Sequence, residues 1–125
     1  MTEGFEHELV AGSRDAGGGH VNYTVFASYV ARVREVFLRK TGPRFEAYDR
    51  PVARLELDYR AELFAGDRVT GTVEVGDIGP TSLTTEVTLI RDGTTAATGR
   101  TVQVLVDPDT GDPTPVPDGW RAALR

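Results

Sequence analysis

The sequence predicts an α+β fold in which one long helix packs against a five-stranded antiparallel sheet. Three observations support this prediction. One segment has the periodicity of a helix, five segments have the apolar pattern of strands, and the strands after the helix are joined by short turns. The 125 residues are enough for one domain, over residues 1–125, and leave no room for a second.

The first predicted elements are a strand and a glycine-rich loop. Apolar and polar side chains alternate from Phe5 to Ala11, as in a strand with one buried face. Four glycines then occur between Gly12 and Gly19, together with serine and aspartate. This composition interrupts regular structure and predicts a loop.

A single long helix is predicted from about Val21 to Arg39. One face of it carries apolar side chains at helical spacing, namely Phe26, Tyr29, Val30, Val33 and Phe37. Lys40 favours the helix C-terminus and the Gly42-Pro43 pair stops the chain. Much of the remaining helix surface is apolar or small, so we expect other structure to enclose the helix.

Four more strands are predicted after the helix. The clearest alternation runs from Ala53 to Leu63. Turn residues separate the following three strands, which are predicted over residues 68–75, 81–91 and 94–106. Strands of ~10 residues span roughly 33 Å and a helix of ~19 residues roughly 28 Å, so a twisted sheet can curl around the helix. Asp118 is expected to cap a last short helix, Gly119 to Leu124.

Composition and charge exclude several classes of function. There is no cysteine, which removes disulfides, Cys-based zinc sites and cysteine nucleophiles, and His7 and His20 lie far apart. We therefore expect neither a metal nor another cofactor. The net charge of -5, with arginines interleaved among acids, argues against a nucleic-acid partner. Because no basic leader or long apolar run occurs, we expect a cytoplasmic protein without a membrane partner.

Six short motifs between Asp15 and Pro117 occur in an order that is typical of one enzyme family. They are Gly19-His20-Val21-Asn22-Tyr23, Tyr29 with Arg34, Leu57-Asp58-Tyr59, Ala65-Gly66-Asp67, Ile78-Gly79-Pro80-Thr81-Ser82, and Val106-Asp107 with Pro115-Val116-Pro117. Together they resemble the signatures of the 4-hydroxybenzoyl-CoA thioesterase-like family. The resemblance implies a hot-dog fold, in which a strongly curved five-stranded antiparallel sheet wraps around one central helix.

The resemblance also implies a reaction. It implies hydrolysis of an acyl-CoA or acyl-carrier-protein thioester, in active sites shared between the subunits of a homodimer or homotetramer. Such hydrolysis needs an activated water or nucleophile and donors for the oxyanion. We expect backbone N–H groups around Gly19 and Val21, at the predicted helix N-terminus, to be unpaired and to supply these donors.

Four side chains are candidates for catalysis. Asp15 is the only carboxylate in the loop and could be a general base or nucleophile, although the family's usual acid position holds Ala16. His20 could donate to the oxyanion, orient water or transfer a proton. Asn22 is expected to cap the helix or to orient the acyl carbonyl. Arg34 belongs to a helix suited to burial, so it either pairs with a carboxylate or shapes the acyl or water pocket.

Other residues are weaker candidates. Substrate binding is possible for Tyr23 and Tyr29, which are otherwise core or interface aromatics, and for Thr81 and Ser82, which are otherwise solvated strand hydroxyls. Glu35 is a secondary candidate carboxylate. The stretch Arg34 to Leu38 is similar to the R-E-x-F-L of the thioesterases of enediyne polyketide pathways. Those enzymes lack the acid, which leaves a mechanism of positioned water open here.

Two other functions stay open. A hot-dog hydratase or dehydratase uses an Asp and a His five residues apart, and Asp15 and His20 have that spacing. Against this, Gly-Gly stands where that class has Asn-Pro. The second alternative is a non-catalytic module that binds acyl-CoA or an acyl carrier, because the expected acid is displaced. The acyl group itself is not encoded in any motif.

Overall fold

The computed structural model describes residues 4–41 and 45–124, and it contains one long helix packed against a five-stranded antiparallel sheet. The elements in chain order are β1 (Glu6–Val10), β2 (Ala16–Gly17), β3 (His20–Val21), α1 (Val25–Thr41), β4 (Val52–Tyr59), β5 (Arg68–Ile78), β6 (Ser82–Arg91), β7 (Thr94–Val104) and α2 (Asp118–Leu124). The main sheet has the order β1-β5-β6-β7-β4. The α+β class and the five-stranded sheet are therefore confirmed.

Helix α1 touches the sheet most closely at two glycines. A Cβ on Gly71 of β5 would lie 2.4 Å from Val33 Cγ2, and a Cβ on Gly99 of β7 would lie 2.8 Å from Val30 Cγ2. Those separations are too short for two carbon atoms, so the two glycines set how deeply the helix sits on the sheet. The five predicted apolar side chains of the helix are all buried at this contact, namely Phe26, Tyr29, Val30, Val33 and Phe37.

The helix begins four residues later than predicted. His20 and Val21 pair with Gly17 and Ala16 in the antiparallel hairpin β2–β3, so they cannot form a first helical turn. Asn22 then caps the helix, since its Oδ1 accepts the N–H of Thr24 at 2.9 Å. At the other end the helix continues to Thr41, and the predicted Gly42-Pro43 stop lies outside the described residues.

Two strands differ most from their predicted ranges, whereas β1, β6 and β7 differ by at most two residues at either end. β4 ends at Tyr59 instead of Leu63, because the Arg60 and Ala61 N–H groups both donate to the Ala96 carbonyl of β7, which breaks the regular pairing. The chain then contacts the hairpin β2–β3. β5 extends to Ile78 through an irregular register after Val75, where the sequence predicted a turn from Gly76 onward. The alternation of β4 does not reflect a buried face, since this edge strand is almost entirely exposed.

Helix α2 is confirmed as the last element of the described residues. It carries the buried Trp120, whose ring packs on Phe45 with centroids 3.9 Å apart and meets the Tyr48 ring edge-on at 5.3 Å. This contact ties the end of the chain to the segment after α1. In the described ranges, no helix has the length and apolar character needed to cross a membrane.

Candidate active site

The hairpin β2–β3 holds His20 against the segment that follows β4. Its two-residue turn is Gly18-Gly19, and both residues have a positive φ, of 68° and 95°, which glycine adopts without strain. His20 forms an isolated antiparallel bridge with Phe64. The backbone register, more than any side-chain contact, therefore sets where the histidine lies.

His20 forms a hydrogen bond with Glu62. The distance between His20 Nδ1 and Glu62 Oε2 is 2.7 Å, and the side chains are 56% and 62% exposed. The ring of Phe64 lies beside the imidazole, with centroids 5.1 Å apart. Sequence reasoning missed Glu62, because 42 residues separate it from His20 and no local spacing connects them.

A cleft of about 340 Å³ opens beside this pair, within the usual range of about 300–1,000 Å³ for small-molecule sites. It is lined by Val21, Tyr23, Phe26, Tyr59, Arg60, Ala61 and Glu62. The Tyr59 hydroxyl donates to the Tyr23 carbonyl at 2.7 Å, which joins the end of β4 to the residues before α1. Burial, together with the nearby Tyr23 hydroxyl, raises the pKa of Tyr59, so this hydroxyl stays a neutral donor.

Tyr23 is the predicted substrate-binding residue that the structure brings to the cleft. Its side chain is 69% exposed, although aromatic rings are usually buried. The centroid of the Tyr59 ring lies 5.1 Å from that of Phe26 and 6.3 Å from that of Tyr23. The cleft therefore has an aromatic wall that is open to solvent.

Asp15 forms hydrogen bonds with the loop and with helix α1 and, like Gly19 and His20, it is not among the cleft-lining residues. Its Oδ2 accepts the Tyr29 O–H at 2.6 Å and the Gly12 N–H at 3.2 Å, and its backbone carbonyl accepts the Asn22 N–H at 2.9 Å. Burial, followed by the hydrogen bond and charge of Asp15, raises the pKa of Tyr29 far above its ordinary value. Asp15 thus connects both ends of the loop to a buried hydroxyl of the helix.

The expectation of unpaired N–H groups around Gly19 and Val21 is wrong for Val21. The Val21 N–H donates to the Leu63 carbonyl at 2.7 Å, because this residue lies in a hairpin strand and not in a helical turn. The Asn22 N–H is likewise taken, by Asp15. Within residues 4–41 and 45–124, the N–H of the turn residue Gly19 has no hydrogen-bond acceptor, so it is the predicted oxyanion donor that stays available.

Arg34 has paired with a carboxylate, which is one of its two predicted fates. Its Nε donates to Glu35 Oε2 at 3.3 Å and its Nη1 to Thr101 Oγ1 at 3.3 Å, while Arg50 Nη1 donates to the same Glu35 oxygen at 2.9 Å. Burial would raise the pKa of Glu35, but the hydrogen bonds and charges of Arg50 and Arg34 outweigh it and lower that pKa. Arg34 is not a lining residue of the cleft.

Thr81 and Ser82 lie at the far end of the sheet from the cleft. Ser82 of β6 pairs with Val104 of β7, whereas Tyr59 of β4 pairs with Ala97 of β7. Those two β7 positions are seven residues apart, which corresponds to about 23 Å along a strand. One chain therefore does not bring Thr81 and Ser82 together with Tyr23.

Comparison with known proteins identifies the family. A family model described as the thioesterase-like superfamily matches residues 15–124. The chain belongs to this superfamily. A predicted thioesterase from Bacillus stearothermophilus is 31% identical, with a TM-score of 0.87 over 97% of this chain and 93% of that one. A thioesterase from Thermus thermophilus, solved with coenzyme A and zinc, is 31% identical, with a TM-score of 0.85 over 96% of each chain.

A more distant thioesterase-like relative has the same fold. A gentisyl-coenzyme A thioesterase is 18% identical, with a TM-score of 0.87 over 97% of this chain and 100% of that one. The hot-dog fold implied by the six motifs is thereby confirmed. A search of curated proteins gave no significant match.

Proposed function

We propose that this member of the thioesterase-like superfamily hydrolyses an acyl-CoA or acyl-carrier-protein thioester in the cleft beside His20. Family membership supports thioester hydrolysis as the reaction. The observation that carries the location is the His20–Glu62 pair, which joins the loop before α1 to a wall of the cleft. Water is activated in this loop, close to the N-terminus of the central helix.

The reaction would proceed by direct attack of water on the thioester. Water adds to the carbonyl carbon as its proton passes to His20, and the carbonyl oxygen becomes an oxyanion that accepts the Gly19 N–H. Collapse of this intermediate breaks the carbon–sulfur bond, and the proton goes from His20 to the departing thiolate. The free acid and the thiol are released, with Tyr23 contacting the substrate in the cleft.

Asp15, Asn22 and Arg34 receive supporting roles in this proposal. The bonds of Asp15 to Tyr29 and Gly12 favour a residue that holds the loop in place. A general-base or nucleophilic role for Asp15 stays a prediction. The cap formed by Asn22 and the ion pairs of Arg34 favour structural roles for both residues.

Acyl-CoA is the favoured form of the substrate. The Thermus thermophilus relative, at 31% identity, was solved with coenzyme A, which supports a similar carrier here. The hydratase or dehydratase alternative has only the spacing of Asp15 and His20 in its favour. The cytoplasmic location expected from the sequence stays a prediction.

We also propose that the active form is a homo-oligomer, either a dimer or a tetramer. The sheet edge at β4 exposes Val52, Leu55 and Tyr59 at 50%, 41% and 46%, and an open edge with apolar side chains is usually covered. A second copy would also be needed for Thr81 and Ser82 to reach the substrate in this cleft. We expect analytical ultracentrifugation at micromolar concentration to detect a dimer or larger species, and a monomer would contradict this proposal.

Thiol release from a panel of acyl-CoA and acyl-carrier-protein substrates tests the reaction. We expect turnover with at least one acyl-CoA, and we expect His20→Asn to lower kcat by about 10²-fold, the usual contribution of a general base. His7→Asn removes the other histidine, on β1, and is the matched control. Loss of enoyl absorbance without free thiol would indicate a hydratase, and binding without turnover of any substrate would indicate a binding module.

A further inference from the structure

We propose that Glu62 is a positioning residue that holds His20 as the Nδ1-protonated tautomer, which leaves Nε2 as the atom that accepts the proton of the attacking water. The inference rests on the proposed function and specifies the role of His20 in it. Sequence reasoning left three roles open for this histidine, as oxyanion donor, water orienter or proton carrier. The contacts of the imidazole select among them.

Backbone hydrogen bonds set the position of the His20–Glu62 pair. On either side of His20, the Val21 N–H donates to the Leu63 carbonyl at 2.7 Å and the Ala65 N–H donates to the Gly19 carbonyl at 3.3 Å. These bonds hold the two segments in register, so the position of Glu62 relative to His20 does not depend on the side chains alone. A pair that is fixed in this way can hold one imidazole orientation through a catalytic cycle.

The donors and acceptors of the two side chains determine which nitrogen of His20 carries the proton. An ionised carboxylate has only acceptor oxygens, so at 2.7 Å the Nδ1 atom of His20 must be the donor. A neutral imidazole carries one N–H, and its other nitrogen is then an acceptor. Neutral His20 therefore presents the lone pair of Nε2, which accepts a proton from water but cannot donate to an oxyanion.

An aromatic ring also packs beside the imidazole. The Phe64 ring lies beside it, and the guanidinium of Arg91 lies over the Phe64 ring, 5.4 Å from the centroid. Arg91 is itself paired with Asp67 at 3.1 Å. Asp67 therefore compensates the positive charge of Arg91, and Glu62 is the carboxylate that contacts His20.

The contact between His20 and Glu62 contributes little to the free energy of unfolding. Both side chains are more than half exposed, and ion pairs in such positions add little to stability because water screens them. Glu62 can thus be replaced without unfolding the protein. An effect of its replacement on turnover then reports on His20.

The kinetic test uses Glu62→Ala with Glu8→Ala as the matched control. Glu8 forms an exposed pair with Arg68, 3.3 Å apart, on strand β1 at the opposite edge of the sheet. We expect Glu62→Ala to lower kcat roughly tenfold or more with KM changed less than twofold, and Glu8→Ala to change neither. In the His20→Asn background, Glu62→Ala should cause no further loss. Glu62→Gln keeps an acceptor oxygen and should recover part of the turnover.

The spectroscopic test reads the tautomer directly. In the His7→Asn variant His20 is the only histidine, so its imidazole ¹⁵N shifts are unambiguous. We expect the neutral ring to be the Nδ1-protonated tautomer, and to become a mixture of tautomers after Glu62→Ala. An Nε2-protonated ring in the parent protein, or a Glu62→Ala effect on KM alone, would overturn the inference.

The two tests separate this inference from the proposed function. If no acyl-CoA or acyl-carrier-protein substrate releases thiol, the proposed function fails, while the ¹⁵N spectra still decide whether Glu62 fixes the tautomer. If thiol is released but His20→Asn and Glu62→Ala both retain full turnover, hydrolysis stands and the role given to this pair is wrong.

Discussion

The two ends of helix α1 lie in different surroundings. At the N-terminal end are a glycine turn, an exposed histidine and an open aromatic cleft. At the C-terminal end Phe37 and Leu38 are fully buried, and Arg34 and Glu35 belong to an ionic network with low exposure. The paired side chains at the two ends also differ in exposure. The His20–Glu62 pair is solvated, and the pairs of Glu35 with Arg34 and Arg50 are largely enclosed.

Because of this difference in exposure, we expect the two ends of the helix to contribute differently to folding stability and to turnover. Enclosed groups are expensive to disturb, since their packing and charges cannot be replaced by water. Solvated groups contribute little to folding and are free to exchange protons and contact a substrate. Substitutions at the buried end should therefore change the free energy of unfolding, and substitutions at the exposed end should change turnover.

The largest expected effect is that of Phe37→Ala. Phe37 is fully buried and meets the ring of Phe5 edge-on, with centroids 5.1 Å apart. Truncation of a buried phenylalanine costs about 3–5 kcal/mol, which urea unfolding would measure. Val36→Ala, at the half-buried neighbouring position, is the control and should cost clearly less. Equal losses for the two variants would show that the burial of Phe37 does not determine the cost.

A smaller effect is expected for Asp15→Asn, which tests the boundary between the two ends. Loss of the charged acceptor of the Tyr29 hydroxyl should lower the free energy of unfolding by about 1–2 kcal/mol. Tyr29→Phe removes the same hydrogen bond and should cost a similar amount. Thermal unfolding and thiol release are measured together, and kcat should fall less than in His20→Asn. A 10²-fold loss of kcat with unchanged stability would instead establish Asp15 as the acid–base group.

The smallest effect is expected for Glu35→Gln, and it depends on pH. The pKa of Glu35 is lowered from 4.5 in the folded state, so its contribution to stability is complete above pH 4.5 and is lost as the pH falls through the lowered value. We expect the variant to be less stable than the parent by about 1 kcal/mol at pH 7, and the difference to shrink toward pH 3. Urea unfolding at both pH values checks this. A difference that stays constant with pH would show that the charge of Glu35 is not its cause.

Most of the fold could be predicted because its signals are local. The alternation after Pro51, the Asp92-Gly93 turn and the apolar face of the helix each lie within one segment of sequence. The predicted start of the helix was wrong because His20 and Val21 pair with Gly17 and Ala16 in a hairpin. This hairpin depends on two turn glycines, and apolar periodicity does not detect it. The predicted end of β4 was wrong for a related reason, since residues 60–63 keep the alternation although Arg60 and Ala61 share one acceptor on β7 and Leu63 bonds to the hairpin.

The site could be predicted only in part. The motif around His20 indicated the loop that lies beside the cleft, and the structure places Tyr23 in the lining of that cleft. The contacts that decide the roles of these residues are long-range. Glu62 reaches His20 from across the sheet edge, and Asp15 meets Tyr29 only because the hairpin folds back onto the helix. Each of these contacts depends on tertiary structure, which no spacing within a single segment encodes.

The close seating of helix α1 on Gly71 and Gly99 limits how this protein can be re-engineered. A methyl group at position 71 would collide with Val33, and one at position 99 would collide with Val30. Libraries that aim to widen the cleft should therefore keep these two glycine–valine pairs together, or exchange both members at once.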